Sequence, residues 1–101
     1  MEVNSTIDIN THDRDILFSL LTRFLPDATV WAFGSRVKGN AMPWSDLDLV
    51  VFTGADHKYR LSLLREALNE SNLSFRTQLL EWDHLPGNFK ANIRESHAVI
   101  N

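Results

Sequence analysis

The chain has 101 residues, 44% of them hydrophobic, and this length predicts one small domain over residues 1–101 with a single core. Its lack of cysteine excludes disulfide bridges and thiolate metal sites, and its net charge of −3 argues against general nucleic-acid binding, which needs a basic surface. No apolar stretch approaches the roughly 18 residues of a membrane span, and the start lacks a basic signal-peptide opening, so we expect a cytoplasmic protein without a membrane segment.

The first predicted element is an amphipathic helix that begins with Thr11 or Asp13 as its N-cap and ends before Pro26. Apolar residues recur in it at spacings of three, four and seven: Ile16, Leu17, Leu20, Leu21 and Phe24. This stripe predicts a helix surface that packs into the core and carries no site.

A strand is predicted next, at residues 29–33, and it ends at Gly34 and Ser35. Glycine lets a backbone approach a phosphate closely, the serine hydroxyl can donate a hydrogen bond, and the turn that follows offers free backbone amides. Arg36 and Lys38 add positive charge to this turn. The segment therefore predicts a phosphate-binding loop.

A second strand is predicted at residues 47–52, and ten residues separate Ser35 from Asp46-Leu47-Asp48 at the start of this strand. Residues two apart in a strand lie on the same face, roughly 6.5 Å apart, so we expect Asp46 and Asp48 to point together. Two such carboxylates repel unless a cation lies between them, and Mg²⁺ takes one or two carboxylates together with substrate phosphates. The spacing Gly-Ser-x10-Asp-x-Asp thus predicts a site for a metal-bound nucleoside triphosphate. The alternative is an ordinary turn followed by solvent-facing acids.

The rest of the chain predicts a second helix after a turn at residues 53–56, a third strand at about 74–82 and a last helix at about 88–96. Phe89 and Ile93 mark the inner face of the last helix. The inward residues of the second helix are expected to be Tyr59, Leu61, Leu63, Leu64 and Leu68.

Histidine and tryptophan residues give weaker signals. The histidines have no spacing typical of metal ligands, so we expect all four at the surface: His12, His57, His84 and His97. Trp31 lies on the first strand and is expected to be structural. Trp44 and Trp82 either complete the core or stack on an adenine or a partner.

Residues 31–39 and 45–49 together resemble the minimal nucleotidyltransferase (MNT) family of the DNA polymerase β superfamily. Residues 75–82 and 88–94 are also similar to later segments of that family, so the likeness covers nearly the whole chain. The resemblance implies an α/β (α+β) fold, a small mixed β-sheet flanked by helices, and the segments predicted above give this sheet three strands. By position, it implies that Gly34 and Ser35 hold the triphosphate.

The same resemblance implies that Asp46 and Asp48 bind Mg²⁺, and that Arg36 and Lys38 either contact phosphates or form a solvated basic turn. Members of the family often pair with a HEPN-domain protein as a toxin–antitoxin system. The implied function is therefore that of an antitoxin, which transfers AMP from ATP to a tyrosine hydroxyl of the HEPN toxin, an RNase. A shallow site on so small a domain also favours closure by a second chain, either the toxin or another copy of this chain.

The chain departs from the family at Gln78, where active members carry a third carboxylate that supports the metal and acts as a base. Glutamine carries no charge and cannot accept a proton as a carboxylate does. Glu81 and Asp83 differ from Gln78 by an odd number of residues, so a regular strand places them on the opposite side unless a bulge intervenes. The alternative function is therefore a catalytically weakened or inactive nucleotide-binding module that neutralises the HEPN partner by binding.

Overall fold

The computed structural model describes residues 7–52 and 57–100, so the turn expected at 53–56 lies outside the described residues. In chain order the described elements are α1 (Thr11–Phe24), β1 (Thr29–Phe33), α2 (Ser35–Lys38), β2 (Leu47–Phe52), α3 (Lys58–Asn69), β3 (Thr77–Glu81), a 3₁₀ helix (Trp82–His84), α4 (Gly87–Glu95) and β4 (Ala98–Val99). The first two strands have the bounds that the sequence predicts. The third is shorter at both ends, since it begins at Thr77 and the chain turns into the 3₁₀ helix at Trp82.

The strands form one sheet in the order β3-β2-β1-β4. Strand β1 runs antiparallel to both β2 and β4, whereas β2 and β3 are parallel and are joined through α3. A mixed sheet with helices confirms the predicted α+β fold class. The prediction of three strands is wrong, because Ala98 pairs with Ala32 at the edge of β1 and adds a fourth. A two-residue strand is too short to show an alternating pattern in the sequence.

The two faces of the sheet are covered unequally. One face packs on α1 and α3 and forms the main core, whose buried members include Leu17, Leu21, Leu61, Leu64, Leu49 and Val51. The opposite face carries a smaller cluster around Phe33, Val50 and Ile93, so it packs on α4. Because side chains alternate along a strand, Asp48 shares the α4 face with Val50, and this places it beside the less covered side of the sheet.

The N-cap of α1 is Asn10, not Thr11 or Asp13, since the Asn10 side chain accepts a hydrogen bond from the Asp13 amide at 2.8 Å. Asp13 is 1% exposed and has another role. Its carboxylate accepts hydrogen bonds from the Ser74 amide at 3.1 Å and the Ser74 hydroxyl at 3.0 Å. Asp13 therefore joins the start of α1 to the segment that leads into β3.

The predicted surface position of His57 and the predicted inward position of Tyr59 are both wrong, because of their spacing from Leu61 on the helix. Leu61, Leu64 and Leu68 define the inner face of α3. His57 precedes Leu61 by four residues, so it lies over the same face and is buried, although surface placement was expected. Tyr59 precedes Leu61 by only two residues, points away from the core and is 74% exposed.

None of the helices in residues 7–52 and 57–100 combines the length and apolar character needed to cross a bilayer.

Candidate active site

Gly34 occupies a backbone conformation that only glycine adopts easily. It lies between β1 and α2 with φ 84° and ψ −159°, and its carbonyl accepts hydrogen bonds from the amides of Val37 and Lys38, both at 3.0 Å. A Cβ atom added at this position would overlap the Asp48 carboxylate oxygen Oδ2. Glycine is therefore required here both for the backbone conformation and for the close approach of the loop to Asp48.

Asp48 lies at the centre of the site. In the register of the sheet it is opposite Phe33 of β1 and opposite Gln78 of β3. Its half-buried carboxyl has a raised pKa, first because burial disfavours the charged form and second because the negative charge of Asp46 is close. Asp46 and Asp48 thus place two negative charges at the start of β2, an arrangement that a cation would stabilise.

A cleft of about 380 Å³ opens between the sheet and α4. Opposite α4 the cleft is lined by Gly34 and by the polar side chains of Lys38, Asp48 and Gln78. Its apolar surface comes from Phe33, Phe89 and Ile93. The α4 side adds Asn92, Glu95 and Ser96. The cleft therefore combines a positive charge, carboxylates, amides and apolar contact area on one side of the sheet.

Asp46 and Ser35 lie beside this cleft and not among its lining residues. Asp46 borders a neighbouring hollow of about 220 Å³, and Gln78 lines both spaces and so connects them. The Asp46 carboxylate also lies 3.7 Å from Nη2 of Arg76, an exposed pair that surface solvent screens strongly. Ser35 is half-buried at the first position of α2, directly after Gly34.

Arg36 differs most from its predicted role as a phosphate contact. Its side chain is 6% exposed and is directed away from the cleft, onto the ring of Phe75, 4.0 Å from the ring centroid. Its guanidinium donates to backbone carbonyls, among them that of Ser45 at 2.9 Å and that of Asp8 at 2.7 Å. Of the two basic residues predicted near the phosphates, the structure thus brings Lys38 to the cleft and Arg36 into the protein interior.

Glu95 is a cleft residue that the sequence analysis did not single out. Of the described residues that line the cleft, Asp48 and Glu95 carry carboxylates. The spacing offered one signal, because Glu95 follows Asn92, another residue of the cleft, by three positions, the separation at which helix residues are neighbours. Glu81 and Asp83 do not line the cleft, and Glu81 Oε2 lies 3.6 Å from Nδ1 of His84.

The tryptophan side chains and His97 do not line the cleft. Trp82 packs with Trp31 and Phe52, at centroid distances of 5.7 and 4.7 Å, and so belongs to the smaller apolar cluster. Trp44 is 74% exposed and does not line the cleft. His97 stacks on Trp31 at 3.8 Å. Trp44 and Trp82 therefore do not provide a stacking surface inside the cleft.

The donor atoms fit a hard cation that also binds phosphate. Asp46 and Asp48 offer carboxylate oxygens and Gln78 an amide oxygen, which is the ligand chemistry of Mg²⁺. Across residues 7–52 and 57–100 there is no group of three or more histidine, cysteine or acidic side chains that could hold a metal alone. A cation held by these two carboxylates would complete its shell with water and substrate oxygens.

Residues 14–100 match the family described as a nucleotidyltransferase domain, so the chain belongs to this family, which confirms the resemblance drawn from its motifs. The chain is 40% identical over 95 residues to the probable protein adenylyltransferase MntA of Haemophilus influenzae, an alignment that covers 93% of this chain and 83% of that protein. A crystal structure of a toxin–antitoxin with AMP-PNP is similar with a TM-score of 0.58 and 18% identity, over 84% of this chain and 69% of that one. The structural likeness supports the fold.

Proposed function

We propose that this protein is a Mg²⁺-dependent nucleotidyltransferase that transfers AMP from ATP to a tyrosine hydroxyl of a HEPN-type toxin, and thereby acts as its antitoxin. The observation that carries the proposal is the approach of Gly34 to Asp48, with Asp46 close by, in a chain of the nucleotidyltransferase domain family. The name of the Haemophilus relative supports a protein as acceptor. The toxin–antitoxin structure with AMP-PNP supports an adenine nucleotide and a toxin as partner.

In this proposal the loop at Gly34 and Ser35 lies along the triphosphate, and Lys38 supplies positive charge from the cleft wall. Asp46 and Asp48 would hold Mg²⁺, with Gln78 as a neutral neighbour. When bound, the metal would neutralise the phosphates and the pyrophosphate that leaves. The protein's own contribution is to hold the two carboxylates close together and to place the nucleotide beside them.

The transfer needs a destination for one proton. The acceptor oxygen bonds to the α-phosphorus, the bond from that phosphorus to the oxygen of the β-phosphate breaks, and pyrophosphate leaves with the electron pair. The hydroxyl proton cannot pass to Gln78, because an amide side chain does not act as a base near neutral pH. Glu95 is the carboxylate on the α4 wall of the same cleft, and we assign to it the role of proton acceptor.

A second function is favoured by one specific observation, the neutral Gln78 opposite Asp48. With only two carboxylates at the metal position, the same cleft would retain Mg-ATP without rapid transfer. In that case the protein would neutralise the HEPN partner by binding it. The two functions differ in whether the partner is covalently modified.

The test is the intact mass of the HEPN-domain protein expected at the neighbouring gene, after incubation with this chain and Mg-ATP. The proposal predicts a mass increase of one or more AMP units, absent with Asp46→Ala. Formation of a stable complex with no mass increase would support the binding function instead.

A further inference from the structure

We propose that Arg36 is a positioning residue that holds Asp46 in place for the metal, instead of a contact to the nucleotide. The proposal rests on the proposed function, because it assigns Asp46 to Mg²⁺. The relevant segment is the chain between α2 and β2, residues 39–46, here called the metal loop. Arg36 lies just before this loop in sequence and is packed beneath it in the fold.

One guanidinium holds the metal loop through several carbonyl groups. Nε donates to the Ser45 carbonyl at 2.9 Å, and Nη2 donates to the carbonyls of Pro43 at 3.1 Å and Met42 at 3.5 Å. The Ser45 carbonyl belongs to the peptide group that leads directly into Asp46. Its bond to Arg36 therefore restricts the orientation of the peptide from which the Asp46 side chain begins.

The same side chain anchors the metal loop to two distant parts of the chain. Nη1 donates to the Asp8 carbonyl at 2.7 Å, and the Asp8 amide donates back to the Arg36 carbonyl at 2.7 Å. The guanidinium also lies 4.0 Å from the ring centroid of Phe75, next to Arg76, whose carbonyl accepts from the Leu47 amide at 2.9 Å. Arg36 thus connects the start of the chain, the metal loop and the segment before β3.

The metal loop is also held by the amides of Gly39 and Asn40, which donate to the Ser35 carbonyl at 3.1 and 3.3 Å, and by bonds within itself. The Ser45 amide donates to the Met42 carbonyl at 3.0 Å, and the Ser45 hydroxyl accepts from the Met42 amide at 2.9 Å. The two bonds of Ser45 close a small turn, whereas the bonds from Arg36 attach that turn to the protein interior. On the strand side of Asp46, the Leu47 amide donates to the Arg76 carbonyl at 2.9 Å and holds the start of β2. The bonds from Arg36 therefore fix the peptide on the other side of Asp46.

Lysine cannot reproduce this arrangement. The planar guanidinium presents donors in fixed directions and stacks flat on an aromatic ring, whereas an ammonium group is a compact, strongly hydrated charge. A buried charge is tolerated only when its hydrogen bonds are satisfied, and here backbone carbonyls satisfy them. We therefore expect Arg36→Lys to leave the metal loop attached but less well ordered.

The experiment measures ATP binding by calorimetry at a series of Mg²⁺ concentrations and in EDTA. Arg36→Lys is expected to raise the Mg²⁺ concentration for half-maximal enhancement of ATP binding by about tenfold, which is the equivalent of roughly 1.4 kcal/mol. Excess Mg²⁺ should restore binding, and weak binding in EDTA should be unchanged. A purely structural loss would not be restored by the metal.

The matched control is Arg65→Lys, because Arg65 also donates a guanidinium hydrogen bond to a backbone carbonyl, that of Leu79 at 2.9 Å, but does not touch the metal loop. Its Mg²⁺ requirement should equal that of the natural chain. Phe75→Leu is a milder second variant, which removes the stacking surface and keeps Arg36. It should show a smaller shift in the same direction, even if Arg36→Lys does not fold.

Two results would overturn the inference and leave the proposed function standing. One is that folded Arg36→Lys needs the same Mg²⁺ concentration for ATP binding as the natural chain. Where Arg36→Lys does not fold, the same result in Phe75→Leu would overturn the inference. The other is an equal loss of ATP binding in EDTA and in Mg²⁺, which would make Arg36 a nucleotide contact. Absence of Mg²⁺-dependent ATP binding in the natural chain would instead overturn both the proposed function and this inference.

Discussion

Asp48 and Gln78 lie opposite each other on the neighbouring parallel strands β2 and β3, and both line the cleft under α4. Side chains at paired positions of adjacent strands stand on the same face of a sheet and close together. A carboxylate at position 78 would therefore share a cation with Asp48, whereas the glutamine present there adds no charge. This pair decides how strongly the site can hold a metal.

Replacing Gln78 by aspartate should strengthen Mg²⁺ binding in the presence of ATP. The new carboxylate adds a negative charge next to Asp48, so we expect the Mg²⁺ requirement to fall by about tenfold, within the range that one added charge gives in partly buried sites. Gln78→Asn is the control, because it shortens the side chain without adding charge. Calorimetry at varied Mg²⁺ measures both, and equal behaviour of the two variants would contradict the placement of the cation beside Gln78.

Glu95→Gln should lower the rate of AMP transfer by about a hundredfold, at the lower end of what a general base contributes. The glutamine keeps the shape of the side chain but cannot take the acceptor proton, so ATP binding should hardly change. Asp83→Asn is a suitable control, since Asp83 is exposed and does not line the cleft. Full activity of Glu95→Gln in a quantitative transfer assay would exclude Glu95 as the proton acceptor.

Gly34→Ala should abolish Mg-ATP binding, whereas Gly39→Ala, at the first residue of the metal loop, should mainly destabilise the fold and weaken Mg-ATP binding far less. Both glycines have positive φ, 84° and 88°, so each alanine costs about 1–3 kcal/mol of backbone strain. Nothing lies within 4 Å of a Cβ at Gly39, but a Cβ at Gly34 would overlap the Asp48 carboxylate. Thermal unfolding and ATP titration of both variants separate the two effects. Equal loss of ATP binding in the two would refute the special role of Gly34.

Asp48 should make the metal-free protein less stable as the pH rises. Burial and the charge of Asp46 raise its pKa in the folded state above that in the unfolded chain. The folded state therefore binds the proton more tightly, so the stability that this group contributes is complete below the unfolded pKa and is lost as pH rises through the folded pKa. Asp48→Asn should accordingly raise the free energy of unfolding at pH 7 more than at pH 3, measured with denaturant in EDTA.

Asp27 is a control for Asp48, because its pKa is shifted in the opposite direction. A hydrogen bond from Arg60, with Nη1 3.1 Å from Oδ1, is the main cause that lowers the pKa of Asp27 in the folded protein. Its contribution to stability is present above the unfolded pKa and is lost as the pH falls through the folded pKa. Asp27→Asn should therefore reduce stability at pH 7 and have little effect at pH 3. If both variants shift stability in the same direction, the assignment of the Asp48 shift is wrong.

Local patterns in the sequence were sufficient for the bounds of β1 and β2. The alternation around Asp48 and the glycine at position 34 depend on neighbours only a few residues away, and the structure has β1 and β2 at the predicted bounds. Arg36 could not be placed in this way, because its acceptors include Asp8, 28 residues away. Its charge suggested a phosphate, but its burial depends on how three distant segments meet.

The remaining differences also arise from contacts that are distant in sequence. Glu95 faces the cleft only because Ile93 is buried against the sheet and fixes the rotation of α4. The strand at Ala98 exists because β1 offers a free edge beside it. His57 is an exception, since its spacing from Leu61 already predicted burial and the general preference of histidine for the surface was given too much weight.

In the proposed function, the cleft at Asp48 transfers the nucleotidyl group of ATP to a protein. The most direct measurement incubates the HEPN-domain partner and this chain with ATP labelled at either the α- or the γ-phosphorus, with Asp48→Asn as the inactive control. Our account predicts that the α-label becomes covalently attached to the partner, that the γ-label leaves with pyrophosphate, and that Asp48→Asn prevents both. Attachment of the γ-label, or no attached label with the natural chain, would contradict it.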